Sequence, residues 1–248
     1  MSLCAKIDFF CGGKMKPVIV ALDIDNEEQL HKILSKLGKP ENVFIKVGME
    51  LFYHAGNQVV KDLAEQGYKI FLDLKLHDIP NTVYNGAKQL AKLGITFTTV
   101  HALGGSQMIK SAKDGLIAGT PVGKSVPKLL AVTELTSISD EVLAHEQNCA
   151  LSMKEQVLSL AKMAKHSGAD GVICSPLEVK ELHEKVGDDF LYVTPGIRPA
   201  GNAKDDQSRV ATPAQAKEWG SSAIVVGRPI TLASDPEAAY EAIKKEFN

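Results

Sequence analysis

The sequence predicts a single α/β domain, a (β/α)8 barrel of the TIM type, and three observations predict it. Short apolar runs alternate strictly with stretches of helical spacing, eight times over. No low-complexity tract, charge run or linker divides the 248 residues, a length typical of one such barrel. Polar and charged residues gather where the apolar runs end, which is where barrels of this type keep their chemistry. Strict alternation demands parallel strands joined by right-handed crossovers, and eight such units close on themselves. A doubly wound open sheet is the competing fold, but it rarely needs eight uniform units.

The first strand is expected over residues 18–22, an apolar run bounded by Pro17 and ended by Asp23. Leu30, Ile33, Leu34 and Leu37 then recur at helical spacing over 27–37, and Gly38 stops the helix. Residues 43–47 form the second strand, interrupted only by Lys46, and 49–66 a helix ended by Gly67. The third strand spans 68–76, followed by a helix over 81–92 that stops before Gly94. β-Branched residues mark the fourth strand at 96–100, which leads to His101, with a helix over 106–117 behind it. The fifth strand, 128–133, precedes a helix over 152–165 with Ser152 as its N-cap. Strands at 171–174 and 190–194 are followed by helices over 176–185 and 212–219, whose Pro176 and Pro213 suit a first turn. A last strand at 223–226 and helix at 236–246 complete the set. Residues 1–16, which include Gly12 and Gly13, read as a loosely ordered leader, so the barrel domain is expected over 17–248.

Composition narrows the function. A formal net charge of −2 supplies no global basic field, so neither nucleic acid nor an anionic membrane is an expected partner. Any phosphate site must therefore be local. Cys4, Cys11, Cys149 and Cys174 include no CxxC pair, which argues against a zinc centre or disulfide framework and for reduced thiols in a cytoplasm. Cys174, within a strand, is expected to be an inert buried thiol. No apolar run approaches the roughly 18 residues of a membrane span, and Asp8 breaks the short apolar run near the start. His31, His54, His145, His166 and His183 lack metal-ligand spacing and are expected at the surface.

Chemistry concentrates in the stretch 71–82. Asp73 and Lys75 stand two apart in an apolar strand, so their side chains leave the same face. Burying charge costs several kcal/mol unless it is paired, and a structural ion pair on an edge strand is the plain alternative. That alternative weakens because Leu72, Leu74 and Leu76 make the other face apolar and Pro80 promptly starts a helix. Asp78 falls just beyond the strand.

Asp23, Lys46, Asp73 and Lys75 come from three neighbouring strand ends and can alternate in sign, which lowers the cost of burying them. Lys75, an ammonium among carboxylates, is suited to donate a proton. At the last strand end, Gly227 lets backbone N–H groups approach an anion and Arg228 adds a bidentate donor, in the usual phosphate position of this fold. The long polar segment 195–211 holds Arg198 and Gln207 beside that cradle and is expected to act as a lid.

Ala21-Leu22-Asp23, Lys46-Val47-Gly48, the stretch 73–82, Pro195-Gly196-Ile197-Arg198-Pro199 and Val226-Gly227-Arg228-Pro229-Ile230 together resemble the orotidine 5′-phosphate decarboxylase family, from about residue 18 onwards. The resemblance implies decarboxylation of orotidine 5′-monophosphate to UMP, the last step of de novo pyrimidine synthesis, without metal or organic cofactor. It implies that Lys75 protonates C6 and that Asp73 sits against the substrate carboxylate. Asp23 and Lys46 would meet ribose hydroxyls, and Thr136 the pyrimidine. Gln207, Gly227, Arg228 and Arg198 would hold the phosphate, with Gln207 also reaching the base. It further implies a homodimer in which Asp78 and Thr82 enter the neighbour's site.

Two rivals differ in class. Magnesium-dependent sugar-phosphate decarboxylases and hexulose-phosphate synthases share the barrel and the Asp-x-Lys-x-x-Asp core, and resemble this chain at His101. They carry a metal-ligating glutamate on the second strand, where this chain has Lys46, and an ammonium cannot ligate magnesium. His101 is then expected to play a structural or supporting part. A non-catalytic nucleotide-binding barrel would need the phosphate cradle but not the charge array.

Overall fold

The computed structural model describes residues 16–200 and 210–248. Eight parallel strands close a barrel in sequence order: β1 (Val18–Leu22), β2 (Phe44–Gly48), β3 (Lys69–Leu76), β4 (Phe97–His101), β5 (Lys128–Val132), β6 (Gly171–Ile173), β7 (Leu191–Thr194) and β8 (Ala223–Val226). Ile19 pairs with both Phe44 and Val225, which shuts the ring between the first and last strands. The helices of the described residues are α1 (Glu27–Leu34), α2 (Met49–Glu65), α3 (Pro80–Leu90), α4 (Gly105–Gly119), α5 (Asp140–His145), α6 (Met153–His166), α7 (Val179–Val186), α8 (Pro213–Glu218), α9 (Arg228–Thr231) and α10 (Pro236–Phe247).

Side-chain alternation sorts the strands into two faces. Ile19, Ala21, Phe44, Phe71, Phe97, Leu130, Val193, Ala223 and Val225 fill the barrel interior. Their outward neighbours, such as Val20, Ile45, Ile70 and Ala131, pack against the helices in two further clusters. Phe97 lies 5.2 Å from Phe44 and 6.0 Å from Phe71 between ring centroids, tilted in one case and edge-on in the other. Such pairs add about 0.5–1.5 kcal/mol beyond the area they bury. This aromatic plug makes a floor, and one inward step beyond it along β2, β3 and β4 stand the polar Lys46, Asp73 and Thr99.

The eight-strand barrel agrees with expectation; the helices differ in several places. α5 and α9 lie in stretches expected to be loop, because six and four residues are too short to show a period. Ser139 caps α5 by accepting a hydrogen bond from the Val142 N–H, and Gly227 precedes α9. The helix expected over 49–66 is kinked at Gly56, whose φ of +71° only glycine adopts without strain. The helix expected over 176–185 opens as a 3-10 turn, Pro176–Glu178, before α7. The fourth helix runs on to Gly119 rather than ending at 117. A Cβ at Gly115 would stand 2.3 Å from the Tyr84 carbonyl oxygen, and one at Gly119 2.1 Å from that of Lys88. These glycines let α4 touch the backbone of α3, so close packing overrides their low helix propensity.

The leader expected over 1–16 lies, apart from Lys16, outside the described residues, as do Cys4, Cys11 and Gln207. The base of the 195–211 segment is closed by two backbone bonds, from Arg198 N–H to the Ala211 carbonyl at 2.9 Å and from Ala211 N–H to the Gly196 carbonyl at 3.1 Å.

Candidate active site

A cavity of about 380 Å³ opens at the carboxyl ends of the strands. Ala21, Phe71, Val132, Ile173 and Val225 continue the apolar interior into its floor, and Asp23, Lys46, Asp73, Lys75, Glu134, Thr136, Arg198, Gly227 and Arg228 give it polar walls. Asp23, Lys46, Asp73 and Gly227 each stand two residues beyond an interior apolar residue, so strand alternation turns all four towards the barrel mouth, with Lys46 in register with Ala21 and Phe71 and Asp73 with Gly48.

The expected charge array is present. Lys46 Nζ stands 2.9 Å from Asp23 Oδ1 and 3.8 Å from Asp73 Oδ2, and Lys75 Nζ is 2.9 Å from that same Asp73 oxygen. Asp73 is buried between two ammonium groups, and mutual compensation is what makes that burial tolerable. Asp23 departs from the expectation of a wholly buried array: its side chain is 64% exposed, at the open rim of the cavity.

Lys75 reaches Asp73 by a route that simple alternation does not describe. Leu72 pairs with Thr98, but the next register pair is Leu76 with Val100, so β3 spends four residues where β4 spends two. Within this bulge Lys75 adopts φ of +51°, a left-handed conformation costing a non-glycine residue about 1–2 kcal/mol. The same-face argument therefore yields the right contact for an incomplete reason.

Gly48 follows Lys46 on the same face of β2. A Cβ there would stand 3.2 Å from Lys46 Nζ and 3.5 Å from Asp23 Oδ1, so the missing side chain leaves room for the ion pair. Its φ of −91° suits any residue, so space alone is at stake. Gly48→Ala is expected to lower turnover about tenfold by displacing the ammonium, with its melting temperature little changed. Steady-state rates beside a thermal melt check this, and unchanged turnover would contradict it.

His101, at the end of β4, has its ring 5.5 Å from that of His77, and its Nδ1 is buried with no hydrogen-bond partner among the described residues. Burial lowers its pKa from the ordinary 6.5; His77 and Lys75 add to the effect and Asp73 opposes it. The folded protein thus holds this ring neutral while the unfolded chain takes up a proton below about pH 6.5. Its contribution to stability is complete above that pH and is lost as pH falls towards the folded value. Thermal melts near pH 7.5 and near pH 5.5 should show a smaller acid loss in His101→Gln than in the parent; equal losses would contradict this.

Thr136 and Arg198 line the cavity, the latter buried and donating from Nη1 to the Ile197 carbonyl at 3.0 Å. Gly227 and Arg228 stand at its rim after β8. A Cβ on Gly227 would meet Ala21 Cβ at 3.5 Å and Asp23 Oδ2 at 3.7 Å, ordinary contacts, so packing within the protein does not demand a glycine there. Asp78 and Thr82 are exposed and do not line this cavity. Cys174 is buried as expected, though just past β6 and beside the cavity. His183 corrects an expectation: it is half-buried, 4.4 Å from the Tyr192 ring, with Nδ1 on Asp188 and Nε2 on the Gly220 carbonyl.

Sequence reasoning missed Thr99 and Glu134. Thr99 stands two residues beyond Phe97, in the same inward register as Asp73, and that spacing was the available signal. Glu134 is buried and accepts from Gln147 Nε2 at 3.4 Å and Gln156 Nε2 at 3.3 Å, which steadies the loop bearing Thr136.

The class these features define is a (β/α)8 enzyme with an alternating charge array at the carboxyl mouth of its barrel. Residues 16–243 match the Orotidine 5′-phosphate decarboxylase / HUMPS family, and the chain belongs to that family. A protein of Lactobacillus acidophilus named orotidine 5′-phosphate decarboxylase is 87% identical over 233 residues, covering 94% of this chain and 99% of its own. One of Enterococcus faecalis with the same name is 51% identical, over 93% and 97% of the two chains. The crystal structure of the Lactobacillus acidophilus decarboxylase superposes with a TM-score of 0.87 at 82% identity, over 94% of this chain and 99% of that one.

Proposed function

We propose that this chain decarboxylates orotidine 5′-monophosphate to UMP and carbon dioxide, without metal or organic cofactor, as the last step of de novo pyrimidine synthesis. The observation that carries the reading is the Asp73–Lys75 pair at 2.9 Å inside an array that Lys46 extends to Asp23. The family joins two groups of enzymes, and Lys46 separates them: its ammonium lies between two carboxylates, where a magnesium enzyme would need a ligand.

In this mechanism the C6–carboxylate bond breaks, its electron pair stays on C6, and a proton from Lys75 Nζ takes up that pair. Asp73 stands beside the departing carboxylate and fixes Lys75 before substrate arrives, so little reorganisation is required at the moment of reaction. Asp23 and Lys46 meet ribose hydroxyls and Thr136 the base. Gly227, Arg228, Arg198 and Gln207 grip the phosphate at a distance from the reacting carbon. Interactions with a remote group can be used to close the site and raise kcat rather than merely to tighten binding.

The working unit is a homodimer in which Asp78 and Thr82 complete the partner's site. Both are exposed on their own chain, and Ile79 beside Asp78 is 65% exposed, a large apolar side chain without cover in a single subunit. No helix among the described residues is long and apolar enough to cross a membrane, and the reading places the enzyme in the cytoplasm. Incubation with orotidine 5′-monophosphate, followed by chromatography for UMP, tests the assignment. Turnover of pentulose or hexulose phosphates with magnesium, and none of the nucleotide, would overturn it.

A further inference from the structure

We propose that Thr99 is a positioning residue for the decarboxylation, its hydroxyl locking the strained Lys75 backbone to the Asp73 carboxylate. The inference rests on the proposed reaction and extends it to a residue outside the charge array. Thr99 lies on β4 opposite the bulge in β3 and is fully buried. Its Oγ1 donates to Asp73 Oδ1 at 2.9 Å and accepts from the Lys75 backbone N–H at 2.9 Å. A hydroxyl has one proton to give and lone pairs to receive, so it can serve both at once.

Three consequences follow from that geometry. The bulge removes Lys75 from the regular ladder between Leu72 and Leu76, and the Thr99 oxygen accepts its N–H there, so a partly buried donor is not left unpaired. Lys75 sits at φ of +51°, a conformation that persists only where the surroundings hold it, and this bond supplies part of the hold. Asp73 is pinned through both oxygens, Oδ1 by Thr99 and Oδ2 by Lys75 Nζ. Its carboxylate plane is thereby fixed relative to the ammonium that delivers the proton. One hydroxyl thus couples the backbone that aims Lys75 to the carboxylate that holds its tip.

The test compares the parent, Thr99→Val, Thr99→Ser and Thr99→Ala by kcat and KM for orotidine 5′-monophosphate, with UMP affinity and thermal melts alongside. Valine removes the hydroxyl at nearly constant shape. Serine and alanine both lose the γ-methyl and differ only in the hydroxyl, so their ratio reads the same quantity if the valine variant does not fold. Expected is a fall in kcat of about 10–100-fold for valine and alanine, with KM and UMP affinity within about threefold. Serine should recover kcat to within about threefold of the parent. Serine and alanine equally impaired, or a folded valine variant with parental kcat, would overturn the role of Thr99 while leaving the reaction assignment intact. A parent that does not turn over the nucleotide would overturn the assignment, and this inference with it.

Discussion

Replacing Lys75 with alanine is expected to lower kcat by at least about a thousandfold while the barrel stays folded. General acid catalysis is worth about 10²–10⁴ in rate, and removal of a preorganised charge about 10²–10³ more. Both losses fall on one side chain here, because Lys75 is proposed as proton donor and also compensates Asp73 at 2.9 Å. Lys46 Nζ at 3.8 Å from the same oxygen continues to offset the Asp73 charge, so the fold should survive, although leaving a buried carboxylate with one partner lowers stability. Bound substrate would then meet a site with one positive charge too few, and KM should rise with the fall in kcat. Initial rates and a melt on the same preparation check the prediction. A folded Lys75→Ala protein within tenfold of the parent would contradict the assignment of the acid.

Mixing two inactive variants is expected to restore activity. Asp78→Ala should lower turnover by about 10²-fold or more if its carboxylate completes the charge array across a two-fold interface. Each Lys75→Ala homodimer and each Asp78→Ala homodimer has two defective sites. In a hybrid dimer one site takes Lys75 and Asp78 from the two intact sources, while the other collects both defects. Random exchange makes about half the dimers hybrids, each with one good site, so about a quarter of parental activity should return. Recovery should follow subunit exchange in time. No recovery with exchange demonstrated by mass or by differently tagged chains would place Asp78 in its own subunit's chemistry, or outside the chemistry altogether. The exposed positions of Asp78, Ile79 and Thr82 outside the cavity of their own chain are what a composite site would require.

Most of the barrel was legible because each strand is a short apolar run with one inward face, and on β1, β2 and β3 that face turns polar where the run ends. Asp23, Lys46, Asp73 and Gly227 could be placed on the inward face from that alternation alone, though not their relative levels, which the pairing register sets. What escaped was whatever depends on a neighbour. The positive φ of Lys75 and the bulge around it arise from pairing between β3 and β4, so spacing within β3 alone predicts a plain strand. Its spacing from Phe97 puts Thr99 on the inward face, but only that mismatch sets it opposite Lys75. Asp23 lies one residue past the end of β1, where strand alternation no longer sets burial. α5 and α9 are shorter than any window in which helical period can be counted, and the extension of α4 through Gly115 and Gly119 depends on contact with α3. The resemblance suggested roles for the charged residues, whereas the Thr99 hydroxyl bonded to Asp73 and Lys75 is seen only in the geometry.

Release of carbon dioxide from carboxyl-labelled orotidine 5′-monophosphate, with UMP quantified in the same reaction and excess EDTA present throughout, tests the central claim most directly. The account predicts equal amounts of carbon dioxide and UMP, at a rate unchanged by the chelator after the protein has been dialysed against it. Turnover that disappears with EDTA and returns with magnesium would contradict it, and would mean that Lys46 does not exclude a metal from this site.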